Sequence, residues 1–372
     1  MRILFIAPRF HTNQVSLLKK LQEEGHEIDF FVMGTGNTED YSTISPKKIP
    51  ISIITKSYIR YFKKDIDIAE FSAIAIPDVV KYFRMINQFK PDVIIVRGAL
   101  SMVYSWFLIP YFFTRVKLIY YTQAPKFVQN LSFLRKVHDY IVSVGHKIRW
   151  FTPVLYKEPV RENLKDLTYM DYLPFFIYPE KIEVPGKIKG DILKFLCVVK
   201  FESRKNVELL IDVTAQLSKK YKKFELTIIG STGNAQREAY YQTMSDKIKS
   251  RGLSSVITLL KNIPHSQMSD YYKSHDVFLM PSINEPASVS QLEAMSYGLA
   301  IICSQDNGTA HYIRDNKNGY LIEATESNIE AAMERYLEEP KLINIHRQES
   351  LKLIKTDYSI DKAYNKLMQI VN

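Results

Sequence analysis

Short apolar runs alternate with amphipathic segments along almost the whole chain. Apolar runs of four to eight residues predict buried strands, and apolar residues at helical spacing predict helices between them. The predicted strands are 3–7, 27–32, 50–54, 92–96, 117–121, 149–153, 194–199, 224–229, 255–260, 276–280, 300–303 and 320–322. The predicted helices are 15–24, 79–89, 133–144, 205–219, 236–250, 266–274, 289–297, 326–337, 341–355 and 360–370.

The strand runs are continuously apolar, which is typical of parallel strands covered on both faces. Repeated β-α alternation over 372 residues exceeds one ordinary core and predicts an α/β protein. We expect two Rossmann-like, doubly wound domains facing across a cleft, at the carboxyl ends of their strands. Proline and glycine cluster between residues 172 and 190, so the predicted domains are 1–178 and 179–355. Residues 356–372 form a C-terminal helix that could cross back to the first domain.

The composition also indicates in which cellular compartment the protein works. Hydrophobic residues make up 46% and charged residues 24%, as in a globular protein. Cys197 and Cys303 each lie inside an apolar run, which predicts reduced thiols and no zinc site. The first apolar run is too short for a signal peptide. Pro110 interrupts the uncharged stretch 98–114, which favours a core or interfacial helix over a bilayer span. We therefore expect a cytoplasmic protein.

Positive charge is concentrated in the N-terminal half. Residues 1–190 hold 27 Lys and Arg against 18 Asp and Glu, whereas residues 191–372 hold 23 against 22. Between residues 93 and 157 the cations are Arg97, Arg115, Lys117, Lys126, Arg135, Lys136, Lys147, Arg149 and Lys157, against Asp139 alone. This asymmetry predicts an anionic partner, and the alternative is a generic solvated basic face.

The segment 280–298 carries the clearest chemistry. A strand ends near Pro281, a loop carries Glu285, and a helix begins near Ser288 with Glu293 in its first turns. Free amides at residues 287–290 and the helix dipole predict an anion site that involves Ser288, Val289 and Ser290. Two carboxylates flanking an anion site suit a nucleotide sugar, with phosphates in the middle and hydroxyls at both ends. The alternatives are a capping box for Ser290-x-x-Glu293 and a solvated loop acid for Glu285.

A second group of charges follows the strand at 194–199. Lys200, Arg204 and Lys205 lie where a helix opens after a buried strand, within reach of a bound diphosphate. The alternative is an exposed cationic helix start, which the helix dipole would oppose.

The pair Glu285-x7-Glu293, with Ala294-Met295 and Gly298-Leu-Ala-Ile after it, resembles the donor-site signature of family 4 retaining glycosyltransferases of GT-B fold. The likeness covers residues 194–322 well and the N-terminal half more loosely. It implies that the first domain binds the acceptor and the second the nucleotide-sugar donor.

The resemblance also implies a role for individual residues. Glu293 is assigned to the ribose hydroxyls and Glu285 to the hydroxyls of the donor sugar. Lys200 and Lys205 are assigned to the leaving diphosphate. Lys200 stands where the family usually has Arg, a change that loses the bidentate fork and that Arg204 could compensate. Backbone groups of Asn262 and Ile263 are assigned to the base.

The N-terminal domain departs from the family pattern. Residues 9–14 replace the usual Gly-rich turn, and Gln123 replaces a histidine. His311 replaces an acid near the later glycine turn. The acceptor-side candidates are therefore His11, Asn13 and Gln123.

The resemblance implies retaining transfer of a hexosyl or N-acetylhexosaminyl group from a nucleotide-diphosphate sugar, such as a UDP-sugar, to a glycan or lipid-linked glycan acceptor in polysaccharide biosynthesis. We expect no metal and no other cofactor, because lysines take the place of a divalent ion and no Asp-x-Asp motif occurs at the site. The alternatives are a GT-B-fold nucleotide-sugar epimerase and a non-catalytic nucleotide-sugar-binding protein.

The charge asymmetry suggests a further partner. The basic cluster is interleaved with the aromatic residues Tyr104, Trp106, Phe107, Tyr111, Phe112 and Phe113. A second basic-aromatic run spans residues 56–64. Cations with interfacial aromatics favour an anionic membrane surface, and the donor-site motifs argue against nucleic acid. We expect the protein to be peripheral on the inner face of the cell membrane.

Overall fold

The computed structural model describes residues 1–36, 39–62, 75–97, 116–129, 133, 136–137, 140, 148–156, 163–179 and 192–372. The chain divides into two compact units. Unit 1 comprises Met1–Pro153, Asn163–Phe176 and Ile360–Asn372, and unit 2 comprises Val154–Glu162 and Ile177–Ser359. Val154 and Tyr156 thus belong to unit 2, although they precede the Pro- and Gly-rich stretch at which the sequence divides the chain.

Unit 1 is built on a parallel sheet. Its strands are β1 (Arg2–Arg9), β2 (Glu27–Gly34), β3 (Lys47–Lys48), β4 (Val93–Arg97), β5 (Lys117–Tyr121), β7 (Arg149–Thr152) and β9 (Met170–Tyr172), and β6 (Phe127–Val128) and β8 (Lys165–Asp166) form a separate antiparallel pair. The order among the described strands is β3-β2-β1-β4-β5-β7-β9, with every neighbouring pair parallel. The helices between strands are α1 (Val15–Glu23), α2 (Ile53–Phe62) and α3 (Val79–Phe89).

Unit 2 repeats this design. Its strands are β10 (Leu193–Lys200), β11 (Phe224–Ser231), β12 (Ile257–Lys261), β13 (Val277–Met280), β14 (Ala300–Ser304) and β15 (Gly319–Ile322), in the parallel order β12-β11-β10-β13-β14-β15. Its helices are α4 (Val207–Lys220), α5 (Ala235–Ser250), α6 (Met268–Ser274), α7 (Ser290–Ser296), α8 (Glu326–Glu338) and α9 (Lys341–Thr356). Helix α4 buries Val207, Leu210, Ile211 and Leu217 at helical spacing, which places its apolar stripe on the sheet.

The last helix, α10 (Ile360–Val371), belongs to unit 1 and packs on α1. Lys20 Nζ contacts Asp361 Oδ1 at 2.7 Å, and His26 Nε2 lies 2.9 Å from the Tyr364 hydroxyl. Leu367 lies fully buried on the same helix. The C-terminal helix is therefore an integral part of the first unit.

Most elements were predicted from the sequence to within two residues at each end. The predicted strand at 50–54 is wrong, because α2 begins at Ile53 and Ile51 forms only an isolated bridge with Pro77. A short, largely apolar segment such as Ile51-Ser-Ile-Ile54 does not distinguish a strand from the start of a helix. The Ser52 hydroxyl accepts a hydrogen bond from the Thr55 amide at 3.2 Å, as an N-cap residue does. Most of the predicted helix 133–144 lies outside the described residues.

Both cysteines are buried and free. Burial raises the pKa of the Cys197 and Cys303 thiols to about 12, so both are neutral at physiological pH. In the described part of the chain no helix is long and apolar enough to cross a membrane. The same residues contain no group of three or more His, Cys, Asp or Glu side chains arranged to hold a metal ion. The uncharged stretch 98–114 lies outside them.

Candidate functional site

The strand order of unit 2 reverses between β10 and β13. Loops leaving the carboxyl ends of these two strands diverge, and open α/β sheets bind ligands in the crevice that results. Lys200 is the last residue of β10, and a 3₁₀ turn of Ser203–Lys205 follows it. Glu285 lies in the loop that follows β13. The two groups of charges predicted from the sequence therefore meet at the position where this fold binds ligands.

Two hydrogen bonds fasten these loops to each other. The Asn206 side-chain amide donates to the Pro281 carbonyl at 2.8 Å, and the Ile283 amide donates to the Arg204 carbonyl at 2.8 Å. Asn206 adopts the left-handed conformation with φ of 54°, which asparagine tolerates better than most residues. It ends the 3₁₀ turn and starts α4. The cations after β10 and the carboxylate after β13 are thus positioned as one assembly.

Glu285 accepts from two cations at a single oxygen. The Lys205 ammonium contacts Oε2 of Glu285, and Arg204 Nη1 lies 2.8 Å from the same oxygen. Lys205 and Glu285 are both buried, with 6% and 7% of their surfaces exposed. Removing Glu285 would leave the buried ammonium of Lys205 without this carboxylate, which is strongly destabilising, whereas removing Lys205 leaves Glu285 paired with Arg204. The pair therefore fixes both side chains, with Arg204 supplying an additional positive charge.

A second carboxylate, that of Glu202, orients the guanidinium of Arg204. Arg204 Nε lies 2.9 Å from Glu202 Oε2, and Arg237 Nε lies 2.9 Å from Glu202 Oε1. Burial alone would raise the pKa of Glu202, but the charges of Arg237, Arg204 and Lys200 outweigh it and hold the pKa below its ordinary value. Glu202 is therefore ionised at neutral pH, and it keeps both arginines at the carboxyl end of β10.

The backbone of the Glu285 loop rests on the turn after β14. The Glu285 amide donates to the Asp306 carbonyl at 3.2 Å, and the Gly308 amide donates to the Glu285 carbonyl at 2.9 Å. A Cβ atom at Gly308 would lie 2.0 Å from the Pro286 carbonyl oxygen. Only glycine permits this close approach, so Gly308 determines how closely the Glu285 loop packs against the turn after β14. Sequence reasoning missed it, although an Asn-Gly pair directly after a buried strand is a recognisable turn signal.

A buried polar network continues from this turn to helix α7. The Ser288 amide donates to Thr309 Oγ1 at 3.1 Å, and Asn307 Oδ1 accepts from both the amide and the hydroxyl of Thr309. The Ser288 hydroxyl lies 3.1 Å from that of Ser290 and 3.4 Å from the Gln291 amide. The amide of Ser288, predicted to be free for an anion, therefore bonds to Thr309. Val289 precedes the helix in αR conformation.

Glu293 is held by side chains from a neighbouring segment. The Tyr272 hydroxyl donates to Glu293 Oε2 at 2.8 Å, and His265 Nε2 lies 3.3 Å from Oε1. Burial, together with the carboxylate, raises the pKa of Tyr272 well above its ordinary value, so Tyr272 remains a neutral donor. A capping box would turn Glu293 back to the start of its own helix. The carboxylate contacts Tyr272 and His265 instead, and 22% of the side chain is exposed.

The ends of β11 and β12 are joined at Asn262. Its amide donates to the Gly230 carbonyl at 2.8 Å, and its Oδ1 accepts from the Thr232 amide at 3.0 Å. Asn262 has a φ of 55° and is exposed, whereas Ile263 is half-buried. Both residues follow β12 at the same edge of the sheet as the charged loops.

The acceptor-side candidates lie in unit 1. Asn13 lines a cavity of about 30 Å³ near the carboxyl ends of β1, β4 and β5, beside Arg97 and Tyr121. His11 donates its amide to Gln14 Oε1 at 3.2 Å. Among the described residues, neither His11 nor Gln123 lines this cavity.

Residues 180–352 match the family model of glycosyl transferases group 1. The matched segment lies within unit 2, which is therefore similar to group 1 glycosyltransferases. The human alpha-1,3/1,6-mannosyltransferase ALG2 is 23% identical over 259 residues, which cover 61% of each chain. The lipopolysaccharide core biosynthesis mannosyltransferase LpcC of Rhizobium leguminosarum bv. viciae is 20% identical over 177 residues, 47% of this chain and 49% of that protein. The chain thus matches about half to three fifths of the length of these relatives.

Solved structures of glycosyltransferases share the fold over the whole chain. A glycosyltransferase from Rickettsia africae ESF-5 has a TM-score of 0.71 at 11% identity, covering 100% of this chain and 97% of that one. Anabaena Alr3699/HepE in complex with UDP and glucose has a TM-score of 0.72 at 12% identity, covering 99% and 98%. The GT-B fold and the resemblance to family 4 glycosyltransferases, both predicted from the sequence, are confirmed.

Gly308→Ala tests whether the turn after β14 positions the Glu285 loop. The added methyl would overlap the Pro286 carbonyl, so we expect a loss of about 1–3 kcal/mol in the free energy of unfolding, measured by urea denaturation. Gly233→Ala is the matched control, because the nearest atom to its Cβ is 3.8 Å away. Equal stability of the two variants would show that the loop does not depend on Gly308.

Proposed function

We propose that this glycosyltransferase moves a sugar from a nucleotide-diphosphate donor to a glycan or lipid-linked glycan acceptor, with retention of configuration at the transferred carbon. The observation that supports this most strongly is the pairing of Lys205 and Arg204 with Glu285 at the point where the strand order of unit 2 reverses. The match of this unit to group 1 glycosyltransferases supports glycosyl transfer as the type of reaction.

The cations would stabilise the leaving group. A nucleoside diphosphate gains negative charge on its phosphates as the glycosidic bond breaks, and preorganised cations lower the energy of that charge. Lys205 is buried, so its charge acts in surroundings where electrostatic interactions are stronger than in water. Arg204 lies between Glu202 and Glu285, so a bound phosphate can take over one of its two contacts. Lys200 is the last residue of β10, directly before the turn that carries Arg204 and Lys205, and its charge acts on the same group.

The two carboxylates near this field would bind the sugars at either end of the donor. Both cations contact Oε2 of Glu285, and the proposal assigns Oε1 to the hydroxyls of the transferred sugar. Each oxygen of a carboxylate has two lone pairs, so Glu293 can accept from ribose hydroxyls while it accepts from Tyr272. Backbone groups of Asn262 and Ile263 would contact the base.

The names of related proteins support the substrate classes. HepE was solved with UDP and glucose, and LpcC is named for lipopolysaccharide core biosynthesis. A UDP-sugar donor and a glycan acceptor are the corresponding proposals for this chain.

A thermal-shift panel of UDP-, GDP- and ADP-sugars identifies the donor, because a ligand that binds only the native state raises its melting temperature. The anomeric configuration of the product, read by NMR, tests retention.

Lys205→Met removes the ammonium group while keeping most of the aliphatic stem. We expect the loss of a charge-assisted contact to weaken kcat/KM for the donor by about 1.5–3 kcal/mol, or roughly 10- to 150-fold. Glu293→Gln should weaken donor binding by a comparable factor. Lys222→Met is the control, because Lys222 is exposed, lies just before the amino end of β11, away from the carboxyl ends of the strands, and contacts the Ser218 carbonyl. Wild-type kinetics in a folded Lys205→Met variant would refute the diphosphate assignment.

Activity should also survive chelation. Because fixed cations are proposed to hold the leaving diphosphate, we expect EDTA to leave the initial rate within about twofold of the untreated enzyme. Rates are measured on metal-stripped protein with and without added Mg²⁺ or Mn²⁺. A strict requirement for either ion would show that Lys200, Arg204 and Lys205 do not carry the leaving-group charge by themselves.

A further inference from the structure

Helix α2 carries its apolar side chains on the outside of unit 1. Ile53 is 80% exposed, Ile54 72%, Tyr61 72% and Phe62 75%. The buried residue of this helix is a threonine, Thr55. Helices of globular proteins normally bury their apolar stripe against the core, so α2 has the reverse orientation. An exposed apolar face of this kind indicates an interaction site for a partner outside the unit.

The charges of α2 have one sign. At 100° per residue, Ile53, Ile54 and Tyr61 lie along one arc of the helix, and Lys56 and Arg60, four residues apart, lie on its flank. Both cations are exposed. The sequence from Ile53 to Phe62 contains no Asp or Glu. An apolar arc beside cations is the pattern of a helix that lies in the interface of an anionic bilayer.

Polar contacts in the first turn hold α2 in place. The Ile76 amide donates to Thr55 Oγ1 at 2.9 Å, and the Ser52 amide donates to the Ile76 carbonyl at 2.9 Å. These bonds fix the start of the helix without using its apolar side chains. The exposed residues can therefore be changed with little effect on the core of unit 1.

Among the described residues, two cations of the basic cluster at 93–157 are paired with acids. Lys126 pairs with Asp166 at 2.7 Å, and Arg149 pairs with Asp171, both acids outside the counted window. The aromatic residues between 104 and 113 lie outside the described residues. Helix α2 thus presents the clearest combination of exposed apolar surface and positive charge in the described part of unit 1.

We propose that α2 docks the protein on an anionic lipid surface. Ile53, Ile54, Tyr61 and Phe62 would lie at the boundary of headgroups and acyl chains, with Lys56 and Arg60 on the lipid phosphates. The net charge of +9 over residues 1–190 has the sign that attracts such a surface. The inference rests on the proposed function, because docking would bring the protein to a lipid-linked acceptor in the membrane.

Co-sedimentation with vesicles tests the docking. The wild type should bind vesicles of phosphatidylglycerol at low salt, bind less as NaCl is added, and not bind phosphatidylcholine. Ile54→Ser/Tyr61→Ser should lower the partition coefficient by about tenfold or more, and Lys56→Ser/Arg60→Ser should remove the salt dependence. Val80→Ser is the control, because Val80 is an apolar residue of α3 that is 70% exposed.

Three outcomes would overturn the docking. They are equal binding of wild type and Ile54→Ser/Tyr61→Ser, equal binding to anionic and neutral vesicles, and no binding at all. A dimer in analytical ultracentrifugation that Ile54→Ser/Tyr61→Ser abolishes would assign the face to a second copy instead. Donor-induced thermal shifts of the same variants distinguish failure of the docking proposal from failure of the proposed transferase function. An unchanged shift with no vesicle binding refutes only the docking, and vesicle binding without any donor shift refutes only the transferase.

Discussion

The buried ion pair between Lys205 and Glu285 is the interaction on which the candidate site depends. It joins the loops after β10 and β13 where the strand order of unit 2 reverses. The buried ammonium of Lys205 depends on the Glu285 carboxylate, which Arg204 also contacts, so these ion pairs hold the two loops together. In this group four cations, Lys200, Arg204, Lys205 and Arg237, outnumber the carboxylates Glu202 and Glu285, so the group is positively charged before any ligand binds. A site that is preorganised in this way stabilises charge without having to rearrange as the charge develops.

The carboxylates of the site hold its cations in place. Glu202 holds Arg204 and Arg237, and Glu285 holds Arg204 and Lys205. Behind Glu285, the turn at residues 306–309 supports the loop through backbone hydrogen bonds and the absence of a side chain at Gly308. The contacts that stabilise unit 2 locally are thus the ones that orient its charged groups. We expect stability and donor affinity to change together when this turn is altered.

The sequence predicted the longer strands of both sheets because parallel strands buried on both faces appear as continuous apolar runs, but it missed the short strands β3 and β9. It failed at Ile51–Ile54, where three isoleucines around Ser52 lead into an exposed helix that begins at Ile53. It identified Arg204, Lys205 and Glu285 separately, yet it did not indicate that they contact one another across 80 residues. Asn307, Gly308 and Thr309 were missed because they act through backbone geometry and short polar bonds. The partners of Lys126 and Arg149 were missed because the charge count stopped before Asp166 and Asp171.

A crystal structure of the protein with bound UDP tests the central claim most directly. The account predicts that an oxygen of the β-phosphate lies within hydrogen-bond distance of the Lys205 ammonium or the Arg204 guanidinium. It also predicts that the ribose hydroxyls contact Glu293. A diphosphate bound away from the loops after β10 and β13, with Lys205 and Arg204 contacting only carboxylates, would contradict it.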